Sequence, residues 1–158
     1  MTRIYGEGDL LVGEALATGL LEGLEPSEVA AVVSTVVYEA RERNPLPGKL
    51  PTAESAHRYE RLQRLWRQIR RTEDGHQVQL YRELEPGFTT PVYRWAEGVP
   101  LDELLEETEM APGDFVRNCK QLLDLLRQIE EVAKPETAAL VRRAHERVLH
   151  GVVAYTGV

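Results

Sequence analysis

The amino-acid sequence predicts an all-α fold, a compact bundle of about six or seven helices in a single domain spanning residues 1–158. Three observations carry that expectation. Apolar residues recur at three- and four-residue intervals, the spacing that lines one face of a helix. Prolines and glycines fall mostly between those periodic stretches, where they open and close helices. No segment makes a convincing strand, although Gln77–Tyr81 is ambiguous and compatible with an extended form.

The first helix is expected from about Asp9 to Thr18, with Asp9 as N-cap and Leu10, Leu11, Val12, Ala15 and Leu16 apolar. Gly19 and Gly23 break the pattern. Pro26 suits the first turn of a second helix reaching about Arg41, because its missing N–H has no partner to lose there. Val29, Val32, Val33, Val36 and Val37 share one face of it; a strand competes for this stretch, but its length and Ala-rich flanks favour helix. Asn44–Pro51 holds three prolines and a glycine and reads as a loop. A long amphipathic helix follows from about Thr52 to Asp74, buried along Tyr59, Leu62, Leu65, Trp66 and Ile69, with Gly75 as its C′ residue. Pro91 opens a short helix that stops at Gly98, and Pro100 opens another through about Glu107. Pro112 and Gly113 lead into the longest clear helix, ending near Ala133. The last runs from near Pro135 to about Gly151.

At 158 residues, with 42% apolar and 28% charged, the chain has the composition of a globular protein able to bury a core. One cysteine, Cys119, excludes an internal disulfide and suits a reducing compartment. The N-terminal stretch has no apolar core of signal-peptide length, and no segment approaches the ~18 consecutive apolar residues of a membrane span. A cytoplasmic location and no membrane partner are expected. The net charge of −7 is unevenly spread: −6 over residues 1–40, +4 over 41–84 and −5 over 85–158. A stand-alone nucleic-acid binder normally carries a basic footprint over the whole domain. Here any contact with phosphate is local, or depends on a larger assembly.

Catalytic chemistry is missing. There is no GxxxxGK[ST] loop, and the GEG of Gly6–Gly8 is too short to cradle a phosphate. His57, His76, His145 and His150 are scattered, Cys119 has no CxxC partner, and no metal site is expected. Cys119 falls on an apolar helix side and reads as a core residue. Glu106, Glu107 and Glu109 read as a solvated acidic cluster.

Two helix faces can carry function. On the long amphipathic helix, Arg61, Arg64, Arg67 and Arg71 belong to an arginine-rich side, with Arg64, Arg67 and Arg71 roughly opposite the buried stripe. Either this strip tracks a phosphate backbone, or it is an ordinary solvated face. The second is GDFVRNCKQLLDLLRQI, Gly113 to Ile129. Phe115, Cys119, Leu122, Leu123, Leu126 and Ile129 form its apolar stripe; Arg117, Gln121, Asp124 and Gln128 stand opposite, with Lys120 and Arg127 on the flank. Arg, Gln and Asp bond readily to bases or backbone, whereas an ordinary exposed face tends towards Glu and Lys; composition alone is equally compatible with a solvated structural face.

With these residues in view, the chain resembles the DSHCT domain, the C-terminal region of Ski-like and HelY-type superfamily-two RNA helicases, closest to the bacterial HelY branch. The matching segments are IYGEGDLLVGEAL (Ile4–Leu16), GLEPSEVAAVVSTVVYEAR (Gly23–Arg41), PGFTTPVYRWAEGVPLDELL (Pro86–Leu105), the Gly113–Ile129 helix and HGVVAYTGV (His150–Val158). They occur in the family's order along nearly the whole chain. The resemblance implies a genuine C-terminus, ATPase modules ahead of Ile4, and a parent that binds ATP and Mg. It implies a helical accessory domain that packs on the ATPase core and closes an RNA channel; the missing motifs predict no cofactor or catalysis of its own, and the net charge predicts only weak RNA binding alone. A so-called ratchet helix contacts the threaded strand in the family. Its counterpart here starts at Gly113, so Arg117, Lys120, Gln121, Asp124 and Gln128 inherit the role of RNA contacts. The sequence departs from related bacterial ones at Asn118, where an aromatic is usual, and no stacking role transfers to that position.

A free-standing helical adaptor, binding a protein through Tyr93 and Trp95 or through the valine-rich helix, is the competing expectation. A small helical enzyme is disfavoured by the missing catalytic cluster.

Overall fold

A computed structural model describes residues 7–37, 50–72, 86–108 and 111–156. These form α1 (Glu7–Ala17), α2 (Pro26–Val37), α3 (Ala53–Thr72), a 3-10 turn (Pro86–Phe88), α4 (Thr89–Ala96), α5 (Leu101–Thr108), α6 (Pro112–Val132) and α7 (Pro135–Thr156). No strand occurs among the described residues, so the all-α expectation holds. Gln77–Tyr81, Gly75, the end of the second helix beyond Val37 and most of the loop at 44–51 lie outside the described residues.

The centre of the bundle is α2. It packs on α3, α4, α6 and α7, and every residue from Pro26 to Thr35 is buried. The expected single valine face is therefore too narrow a description. An all-round buried helix needs small side chains so that several neighbours can approach, and Ala30, Ala31, Ser34 and Thr35 supply them. The two hydroxyls stay satisfied inside this apolar setting. Ser34 Oγ donates to the Ala31 carbonyl at 2.6 Å and Thr35 Oγ1 to the Val32 carbonyl at 2.7 Å.

Helix ends carry recognisable chemistry. Glu28 reaches back with Oε1 to accept the Glu25 N–H at 2.9 Å, while its other oxygen accepts the Thr52 hydroxyl. One buried carboxylate thus joins the starts of α2 and α3. At α3 itself, Ser55 N–H donates to Thr52 Oγ1 and Thr52 N–H to Ser55 Oγ, both at 3.0 Å, a capping box with serine in the usual Glu position. Gly19 and Gly98 take positive φ after α1 and α4, where 6→1 bonds (Leu20 N–H to Ala15 O, Val99 N–H to Arg94 O) close both helices.

Three boundaries differ from expectation. Asp9 lies inside α1 rather than capping it, because the helix begins at Glu7. A 3-10 turn starts the fourth helix two residues before Pro91, seating Phe88 and Thr89 in the core. The last helix continues through Gly151 to Thr156 and exceeds α6 by one residue, 22 against 21.

The reason α7 passes through Gly151 is tertiary. A Cβ there would lie 2.4 Å from Trp95 Cε2, so only glycine lets α7 approach the indole. Trp95 Nε1 donates to the Val148 carbonyl at 3.1 Å, and its ring meets Phe115 edge-on, centroids 5.1 Å apart. Phe88 meets the same Phe115 ring at 5.2 Å. This aromatic trio ties α4, α6 and α7 together. Trp95 is only 4% exposed and α2 is buried from Pro26 to Thr35, while Tyr93, Val36 and Val37 are half-buried, so little of the surface named by the adaptor expectation is open.

Candidate nucleic-acid interface

The buried side of α6 is set by Phe115, Cys119, Leu122, Leu123, Leu126 and Ile129, as expected, and widened by Val116, Asn118 and Leu125. That stripe seats α6 against α2 and α7. Its register leaves Arg117, Lys120 and Gln121 exposed, with Asp124 and Gln128 half-buried beside them. The structure therefore brings all five candidate contacts to the outer side of one helix.

They are not equally available. Arg117 Nη2 donates to Asp114 Oδ1 at 2.6 Å within the first turn of α6. Gln128 Nε2 donates to Asp124 Oδ2 at 3.3 Å. The exposed Arg117–Asp114 pair is of a kind that contributes about 0–1 kcal/mol, little enough to give way to a ligand. Asn118, where the sequence departs from the bacterial pattern, is 7% exposed and turned into the bundle. It has no access to a strand passing over α6.

The arginine-rich side of α3 divides in two. Arg58 Nη1 donates to the carbonyls of Leu20 and Glu22 at 2.6 and 2.7 Å, and its Nε to Glu54 at 3.1 Å. Arg61 Nη2 donates to the Thr18 carbonyl at 3.0 Å. Both guanidiniums cover carbonyls left open where α1 ends, so Arg61 is a structural residue as well as a basic one. Arg64 and Arg67 are exposed. The side chain of Arg71, like that of Ile69, lies outside the described residues.

Burial pushes the Cys119 thiol far above its usual range, so it is no nucleophile. Among the described residues no group of His, Cys, Asp and Glu can hold a metal, and no helix is long and apolar enough to cross a membrane. Glu106 is exposed, while Glu107 and Glu109 have side chains outside the described residues. A cleft of about 540 Å³ lies between the α4–α5 turn and α7, lined by Trp95, Glu97, Arg147 and His150 among others. Glu97 spans its edge, accepting from Arg147 at 3.3 Å and from the Ser27 hydroxyl. Sequence periodicity had no means of finding that junction, because its partners are about 50 to 70 positions apart.

Comparison with known proteins sets this geometry in a family. The model of the DSHCT (NUC185) domain matches residues 1–156. The chain belongs to the DSHCT family. "Probable helicase HelY" of Mycobacterium tuberculosis is 39% identical over 98% of this DSHCT chain and 18% of its own length. "ATP-dependent RNA helicase mtr4" of Schizosaccharomyces pombe is 27% identical over 82% of the chain and 12% of its own length. "Antiviral helicase SKI2" of Saccharomyces cerevisiae is 26% identical over 77% and 10% respectively. The DSHCT chain thus spans less than a fifth of the curated relatives it matches. The resemblance read from the sequence, to Ski-like and HelY-type helicases with the bacterial branch nearest, agrees with these relatives.

Proposed function

We propose that this chain is the accessory domain of an ATP-dependent RNA helicase, packing on ATPase modules of the same polypeptide and touching the threaded RNA strand through α6. The observation that carries this reading is the polar outer side of α6, backed by an unbroken buried stripe, in a chain whose relatives are named helicases. Arg117, Gln121, Asp124 and Gln128 offer donors and acceptors in the mixture that bases and backbone accept. A rigid helix holds them at fixed spacing while the strand moves past.

Catalysis lies outside the chain in this proposal. ATP and its magnesium belong to the ATPase modules, since no loop here cradles phosphates. The domain's own share is orientation and grip. Its net charge of −7 repels phosphate at long range, so grip by the domain alone is weak and falls with salt.

The test is Arg117→Ala in the full-length helicase. Loss of an exposed pair leaves melting nearly unchanged, within about 1 kcal/mol. Unwinding, or RNA-stimulated ATP turnover, slows because a strand contact is missing. Normal unwinding with normal melting removes Arg117 from the interface and weighs against Gln121 and Asp124 beside it.

A further inference from the structure

Lys120 and Arg127 lie about 10 Å apart along the axis of α6, two turns on one flank. Both are exposed. Two neighbouring cations are already engaged: Arg117 by Asp114 on α6 and Arg142 of α7 by Glu130. Lys120 and Arg127 make no ion pair among the described residues, and Glu131, one turn beyond Arg127, forms none with it.

The flank is the one that turns towards α7. Glu130, close by on α6, bonds across to Arg142 of α7 at 2.8 Å. Arg127 is near enough to His145 of α7 to act on its charge. Burial first, and the Arg127 guanidinium second, lower the pKa of that imidazole, while Glu130 and Glu146 pull it the other way.

An RNA strand on α6 brings phosphates that need cations. The central candidates supply little of that charge, because Asp124 is an acid and Arg117 shares its own with Asp114. We propose that Lys120 and Arg127 form a phosphate-binding strip on the α7 side of α6, taking backbone phosphates of single-stranded RNA. Gln121, Asp124 and Gln128 are then left to face bases. Phosphate contacts position a strand without reading its sequence, so the strip acts alike on any RNA. This inference rests on the reading that α6 meets RNA, and adds Arg127 to the interface.

The experiment measures binding of oligo(U) and oligo(A) single strands across a salt series, starting low, for the wild-type chain, Arg127→Gln, Lys120→Gln, Arg127→Lys and Gln121→Ala. Each lost phosphate contact flattens the slope of log K against log salt by about 0.7. Both glutamine variants are expected to show that loss equally on the two RNAs, and Arg127→Lys to keep the wild-type slope. A proton-NMR titration gives a second readout. A phosphate seated at Arg127 cancels its repulsion of His145, so saturating RNA raises the His145 pKa in wild type and not in Arg127→Gln. Unchanged slopes and an unmoved His145, with Gln121→Ala still weakening binding, overturn the strip and leave the α6 reading standing. No binding at low salt, or binding indifferent to every α6 substitution, overturns both.

Discussion

Arg58 and Arg64 share α3 and meet opposite surroundings. Arg58 has a side chain only 14% exposed and serves two carbonyls as well as Glu54. Removing it strands those acceptors at the α1–α2 turn. Hydrogen bonds to charged groups contribute about 1.5–3 kcal/mol net, and less where water reaches the acceptor, as at Glu22. Arg58→Ala is therefore expected to destabilise the chain by roughly 2 kcal/mol in urea denaturation, and Arg64→Ala by no more than about 0.5 kcal/mol. Equal midpoints for the two variants would show that the carbonyl contacts contribute nothing. Leu122 and Leu126, both fully buried on α6, set a larger scale: either Leu→Ala change should cost about 2–5 kcal/mol. His145 adds a pH dependence. Its folded pKa is lowered, so the unfolded chain binds a proton more readily near the ordinary value of 6.5. Stability is then expected to fall as pH drops below that value and to level off once the folded form is also protonated. Melting temperatures recorded between neutral and mildly acidic pH check this, with His145→Gln as the variant that should flatten the local slope.

At the scale of elements, α7 and α4 meet through a glycine. In an isolated helix Gly→Ala gains about 1 kcal/mol of propensity. At Gly151 the added methyl meets the Trp95 ring, and overpacking of this kind costs about 1–3 kcal/mol. Gly151→Ala is expected to be net destabilising and to alter Trp95 fluorescence. A higher melting temperature with an unaltered emission spectrum would mean that α7 and α4 are packed more loosely than the geometry states. The same contact explains why the end of the last helix was misjudged from sequence, where a glycine late in a helix reads as a stop. By contrast, α6 was legible nearly to the residue. Its Pro112 start and apolar spacing are local signals, and its neighbours only widened the stripe. For α2 the opposite holds: the valine pattern identified a helix, but not one enclosed on all sides.

For the whole molecule, charge and family combine into one expectation. A chain of net charge −7 with a few cations on one helix binds RNA weakly, and its affinity drops steeply with salt. Tight binding that survives near-physiological salt would contradict the interface drawn on α6. The chain alone should show no saturable ATP hydrolysis in pure preparations, and activity above background would place phosphate chemistry where none is described. What the sequence by itself determined was the helical class, the stripe of α6, the family and the set of polar residues on one helix face. Those properties follow from periodicity and order along the chain, which neighbouring residues impose on one another. Which cations are free was decided only by the tertiary structure. Arg58 and Arg61 are engaged by carbonyls of the turn after α1, while Lys120 and Arg127 keep no acid partner among the described residues and the Arg127 charge is felt by His145 of α7. A side chain's charge is local, but whether that charge is satisfied depends on groups many residues away that only folding brings within reach.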